Sequence, residues 1–277
     1  MKKRAINGIL LICTCLVAAF SIWGPEALAV FKDRTVLDRI DTQAVETGGE
    51  GYRYRLSSRE KLYILSECLN NQTLPESEQN AMTRTELSES MDYQEVTGSY
   101  AFVINHRGPS GEEITDEEIY QTCNEGIGQL KELGILPEGV REVEASAYEA
   151  VLYSAIDVLE PRNNVAVWKV SLSNSQKNAD KGNRLLDAYI DADDGKIYEF
   201  YARTQLQWSQ IDPDHIMESW CTYMGLGNPE PYETENPLLE TTPYYKKYVI
   251  TGGSGERTIV TIGFYEGINE LFLKISR

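Results

Sequence analysis

From Tyr148 onward the chain is written as short strand-like runs separated by turn signals, and this limits its fold more than any other feature. Four runs come first: Tyr148 to Leu159, Val165 to Ser173, Leu185 to Asp191 and Lys196 to Ala202. They are broken by Glu160-Pro161-Arg162-Asn163-Asn164, by a polar stretch from Asn174 to Asn183, and by Asp193-Asp194-Gly195. Three more follow, Tyr245 to Thr251, Thr258 to Tyr265 and Glu270 to Ile275, parted by Gly252-Gly253-Ser254-Gly255 and Glu266-Gly267. Connections this short leave no room for crossover helices, so neighbouring runs must pair antiparallel.

Each series is led by a helix with readable ends. Thr115-Asp116-Glu117-Glu118 is a capping box before Ile119, Cys123, Ile127 and Leu130, which share one helical face, and Gly134 is the stop. Asp212 caps a second helix, Pro213 takes its first position, and Ile216, Trp220, Tyr223 and Met224 lie on one side before Gly225. An earlier helix starts at the box Ser57 to Glu60 and continues through Leu62, Leu65 and Leu69. Between them Leu87 and Met91 hint at a short helix, and Tyr100 to Ile104 reads as a strand. The pattern predicts an α+β fold, helix packed on antiparallel sheet, in a module repeated about twice. The expected segments are 1–29, a signal or anchor; 30–55, a juxtamembrane lead-in; 56–111, an N-terminal α+β region; 112–205, one module; and 206–277, a helix with three strands.

The N-terminal segment sets the compartment. Lys2, Lys3 and Arg4 precede an uncharged apolar run from Ala5 to Gly24, and Ala27-Leu28-Ala29 supplies small residues where a signal peptidase cuts. The run of about 20 residues also suffices to cross a bilayer as a helix. Two readings stay open, a retained transmembrane helix or secretion after cleavage at Ala29; length favours retention. Either way the basic head stays in the cytosol and the rest goes out.

A net charge of −17 with no basic block beyond residue 4 argues against nucleic acid and anionic head groups as partners. Outside the apolar run stand only Cys68, Cys123 and Cys221, an odd and widely spaced set that fits buried thiols on helices, or one disulfide with a free thiol.

Candidate sites are few. Asp191, Asp193 and Asp194 before Gly195 suggest a calcium loop, but glycine comes fifth and Glu199 ninth, where an EF-hand needs them sixth and twelfth. A hairpin turn explains the same residues. His106 and His215 are the only histidines, with no His, Cys or carboxylate spacing around them that holds a metal, no G-x-S-x-G elbow and no phosphate loop. No cofactor is implied. Trp168, Tyr198, Tyr201 and Trp208 offer amphipathic surface for a partner, and alternation sends Trp168 and Val170 one way and Val167, Lys169 and Ser171 the other.

The run Val167-Trp168-Lys169-Val170-Ser171-Leu172, then Leu186 to Ile197 with its hairpin Asp191-Ala192-Asp193-Asp194-Gly195-Lys196, resembles a PepSY domain over about residues 116–203, with Asp194 where threonine is usual. The resemblance implies a small non-catalytic helix-plus-sheet module outside the membrane, associated with regulation of envelope proteases and sensor systems. One anchor followed by modules is also similar to membrane-tethered accessory regulators of Gram-positive envelope systems. The expected function is therefore a non-catalytic binding and regulatory protein of the bacterial cell envelope, working on an envelope protein or peptide through its sheet surfaces. The alternatives are a hydrolase using paired acidic residues and a calcium- or small-ligand-sensing domain.

Overall fold

In a computed structural model the described residues are 53–70, 99–111, 113–179, 181–252 and 255–277. The basic and apolar N-terminal segment, most of the lead-in, and the helix hinted at by Leu87 and Met91 lie outside them. In chain order the elements are α1 (Ser58–Asn70), β1 (Tyr100–Ile104), α2 (Ile119–Glu132), β2 (Tyr148–Asp157), β3 (Asn164–Leu172), α3 (Asn174–Ala179), β4 (Arg184–Asp191), β5 (Ile197–Arg203), α4 (Pro213–Met224), β6 (Glu230–Tyr232), β7 (Tyr245–Thr251), β8 (Arg257–Tyr265) and β9 (Glu270–Ser276). Among the described residues no helix is long and apolar enough to cross a membrane.

The helix ends follow from their caps. Ser57 and Glu60 exchange hydrogen bonds at the start of α1, Asp212 accepts from the N–H groups of Asp214 and His215 at the start of α4, and Gly225 ends α4 at φ 70°. Cys68, Cys123 and Cys221 are free and buried, one on each of these three long helices. Burial lifts the Cys68 and Cys123 thiols to about 12 and Cys221 to about 11, which keeps all three protonated at neutral pH.

The expectation of an α+β fold with a module repeated about twice is overturned. All nine strands form one antiparallel sheet in the order β1-β2-β3-β4-β5-β9-β8-β7-β6, and the described residues are 34 % strand against 28 % helix. The expected segments 56–111, 112–205 and 206–277 share this sheet, because β1 pairs with β2 and β5 pairs with β9. The physical reason is that β5 has a free edge: Phe200–Arg203 pair with Glu270–Leu273 of β9, so the second group of strands joins in reverse order instead of forming its own module.

One face of the sheet carries the core. Val170, Ala188, Phe200, Leu273 and Ile262 stand opposite one another across five strands and are fully buried. Ile197 ties both covering helices to this face: its side chain rests on Gly126 of α2, its N–H donates to Tyr223 and its carbonyl accepts from Trp220 of α4. We refer to this as the helix face.

Among the described residues the two strand groups pair through the β5–β9 ladder, which stops at Phe200 and Leu273. A bulge at Tyr198 turns β5 away beyond that point. α1 sits where they part, touching β1, β2 and β3 on one flank and β8 and β9 on the other. That position explains why Leu62, Ile64, Leu65, Ser66, Glu67, Cys68 and Leu69 are all buried, although a surface helix hides only one stripe.

Candidate functional site

Alternation from the helix face assigns the opposite side chains to a second face. Phe102 of β1, Tyr153 of β2, Lys169 of β3, Tyr189 of β4, Tyr201 of β5, Phe272 of β9 and Tyr265 of β8 all fall on it by register. α1 covers the fork end of this face, where its Tyr63 meets Tyr100 and its Lys61 reaches Asp191, and we refer to the ring-bearing part beyond it as the open face.

The rings form two stacked groups. Phe102 lies flat on Tyr153, with centroids 4.6 Å apart, and meets Tyr189 edge-on at 6.0 Å. On the other side Phe272 stacks between Tyr201 at 5.9 Å and Tyr265 at 4.7 Å. The Lys169 ammonium sits over the Tyr189 ring, 5.4 Å from its centroid. Phe102, Tyr153, Lys169, Tyr201 and Tyr265 are each half-buried, so an aromatic and basic stripe stays accessible across the sheet. Gly263 makes room for it, because a Cβ there would run into the ring of Phe272. Gly263→Ala is therefore expected to displace the Phe272 ring and cost about 1–3 kcal/mol by urea denaturation, with reduced near-ultraviolet dichroism as the stacked tyrosines move.

Glu199 links the two ring groups. It lies opposite Tyr189, is 3 % exposed, and accepts hydrogen bonds from the Tyr201 hydroxyl at 2.9 Å and the Ile275 N–H at 3.0 Å. Its second contact stands in for the sheet ladder, since Ile275 lies past the last β5–β9 pair. Burial raises its pKa from 4.5 to about 7, against the lowering pull of those two hydrogen bonds and of Lys274 and Lys169. A carboxyl that titrates near neutrality beneath the stripe couples the charge of this face to pH.

At the fork end of the sheet lies a charge network. Lys61 of α1 donates to Asp191 at 2.8 Å and to Asp193 at 2.7 Å. Arg53 pairs with Asp193 and, at 2.9 Å, with Glu113. Tyr198 donates to Asp191, and the Asp193 N–H closes on the same carboxylate at 2.7 Å. Burial lowers the Lys61 pKa and the two aspartates raise it; the net effect is upward, which keeps the ammonium charged.

This network engages the residues that suggested a calcium loop. The Lys61 ammonium fills the position between Asp191 and Asp193, and Asp194 accepts from the Lys196 N–H at 3.1 Å within the hairpin that Gly195 closes at φ 72°. Among the described residues no group of three acidic, histidine or cysteine side chains is placed to hold a metal. Of the four aromatic residues expected on a surface, two are core: Trp168 is 2 % exposed and donates to the Ile114 carbonyl, and Tyr198 is 1 % exposed. The core strand and the bulge turn them inward. Tyr201 is part of the stripe, whereas Trp208 packs beside Tyr244 in a short turn away from it.

A cleft of about 490 Å³ opens at the start of α1 beside Tyr63, Tyr100, Glu60 and Asp157. Glu60 is engaged by the N–H and hydroxyl of Ser57 and Asp157 by the N–H groups of Leu159 and Glu160, so both carboxylates serve the backbone. His106 and His215 are exposed, in a loop and in the first turn of α4.

The roles of Glu199 and Lys61 were not read from the sequence. A glutamate inside Ile197-Tyr198-Glu199-Phe200-Tyr201 is a usable signal, since a charge amid a buried aromatic run must find partners. Lys61 offers none, because its partners lie far along the chain. No family model matches this chain, and no curated protein or solved structure does either.

Proposed function

We propose that this chain is a non-catalytic binding protein of the bacterial cell envelope, held at the membrane by its N-terminal apolar segment with the sheet body outside, and that the open face takes up a protein or peptide partner. The observation that carries this reading is the stripe of half-buried Phe102, Tyr153, Lys169, Tyr201 and Tyr265, backed by the buried rings of Tyr189 and Phe272. Tyrosines of this kind give large contact area at low entropic cost and keep a hydroxyl for hydrogen bonding, the composition favoured at protein interfaces. The basic N-terminal head and apolar run support the address. The resemblance of residues 116–203 to a PepSY domain supports a regulatory role: occupancy of the face biases an envelope sensor or peptidase between its states.

Crosslinking in intact cells tests it. Full-length chain is expected to capture a discrete envelope protein, and Tyr153→Ser with Tyr265→Ser is expected to lower that capture at least tenfold while the variant keeps the wild-type far-ultraviolet dichroism and a cooperative melt. Equal capture by wild type and the double variant would refute the assignment of the face.

A further inference from the structure

We infer that a groove at the Tyr265 end of the stripe is a docking site for a cationic peptide segment with an apolar centre, carried by a partner protein. The inference rests on the open-face reading only through Tyr265, which belongs to both, and it adds the chemistry of the partner.

The groove has a volume of about 440 Å³, and Thr241, Pro243, Tyr244, Tyr265, Gly267 and Ile268 are among the residues that line it. One wall, Thr241 to Tyr244, follows the 3-10 turn Pro237–Leu239; the other is the turn Glu266–Ile268 between β8 and β9. Both turns hold apolar side chains out in water: Leu238 is 93 % exposed, Leu239 79 % and Ile268 55 %. A single exposed leucine is ordinary, but these three belong to or lead into the walls of one concavity that also presents Tyr244 and Tyr265.

The walls are built before anything binds. Asn236 caps the first turn by accepting from the Leu238 N–H at 3.2 Å, Pro237 sets its backbone, and Lys247 pairs with Glu240 at its end. The Thr241 and Tyr265 hydroxyls share a hydrogen bond at 3.0 Å, and the buried Thr242 hydroxyl donates to the Phe264 carbonyl at 2.7 Å. The second turn closes through Asn269 at φ 52°, whose carbonyl accepts from the Thr204 N–H at 2.8 Å. A segment that docks here orders little of the protein, so little of the contact free energy is offset by arranging the walls.

Charge selects the occupant. From Glu230 to Glu240 the chain carries four glutamates and no lysine or arginine, and Glu266 adds a carboxylate at the other wall. Glu233, Glu235 and Glu266 are exposed and form no ion pair with another described residue. Lys246 and Lys247, at the start of β7, are already engaged by Asp214 and Glu240. The rim is therefore negative in a chain of net charge −17, so it attracts lysine or arginine and repels an acidic segment. A hydrophilic cation would leave the leucines uncovered, and a neutral apolar segment would leave the carboxylates unmatched.

The test measures fluorescence anisotropy of labelled peptides with the full chain in non-ionic detergent micelles. Lys-Lys-Leu-Leu-Lys-Lys is expected to bind, and Leu238→Ser with Leu239→Ser, a change at two exposed side chains, is expected to weaken it about tenfold. Glu235→Gln with Glu266→Gln is expected to weaken it about fivefold and to flatten its dependence on salt. Glu125→Gln with Glu132→Gln removes the same charge from the exposed side of α2 and is expected to leave the affinity unchanged. Tyr153→Ser, at the other end of the stripe, is also expected to leave it unchanged, which separates a failure here from a failure of the open-face reading. Equal binding of Lys-Lys-Ser-Ser-Lys-Lys, which marks attraction to net charge alone, binding of Glu-Glu-Leu-Leu-Glu-Glu, or full affinity in the leucine variant would each overturn the inference.

Discussion

Replacing Lys61 with methionine is expected to destabilise the folded chain by about 3–5 kcal/mol, since it strips the ammonium from a carboxylate with no exposure to water. Asp191 is fully buried and relies on Lys61, Tyr198 and the Asp193 N–H. Methionine keeps the apolar stem of lysine, so the loss isolates the charge. Lys61→Met with Asp191→Asn is expected to recover at least half of the cost, because the neutral amide no longer needs a cation. Urea denaturation checks both values. A cost below about 1 kcal/mol for Lys61→Met would mean that Asp191 is not a buried anion anchored by α1. The network pins α1 between the two strand groups, so its loss is also expected to speed hydrogen exchange in α1 before exchange in β3 or β4.

Glu199→Gln is expected to act in the opposite direction at alkaline pH. Folding raises the Glu199 pKa from 4.5 to about 7, so the folded chain holds a proton that the unfolded chain releases across that window. The stability from this group is complete below pH 4.5 and declines as pH rises towards 7, by about 3 kcal/mol in all. Glutamine mimics the protonated acid: its oxygen accepts from Ile275 and its amide donates to Tyr201. The variant is expected to lose this slope and to exceed the wild type by up to about 3 kcal/mol at pH 8. Melting curves at pH 5 and pH 8 give the comparison, and an unchanged slope in Glu199→Gln would show that another group titrates there.

Local signals in the sequence located most of the elements. The capping residues Ser57 and Asp212 and the glycines after α2 and α4 mark helix ends, and alternation around Trp168 separated the two faces of β3, whereas the expected Thr115 cap lies a turn before α2, whose N-cap is Glu118. The architecture was not legible at the same level. Whether β5 ends a module or accepts another strand depends on the pairing of Phe200–Arg203 with Glu270–Leu273, a contact between distant segments that no local pattern records. The short edge strand β6 was hidden by Pro231, and α3 by a polar stretch without apolar periodicity.

The candidate site divides in the same way. Asp191, Asp193 and Asp194 were found because they are adjacent, yet their role was set by Lys61 and Arg53, which arrive from elsewhere in the chain. The stripe gathers single rings from β1, β2, β4, β5, β9 and β8, so it exists only once the nine strands are in order. Trp168 and Tyr198, prominent in the sequence, were drawn into the core, Trp168 because its register puts it on the helix face of β3 beside the buried Val170 and Tyr198 because the bulge in β5 turns it inward.

The claim that the open face is the binding surface is tested most directly by a photo-crosslinking amino acid introduced singly into the full chain in intact cells. Placed at Tyr153 or Tyr265 on the open face, it is expected to yield the same discrete adduct; placed at Gln121 or Glu125, on the exposed side of α2, it is expected to yield none. Adducts from α2 alone, or no adduct from Tyr153 and Tyr265, would contradict the account.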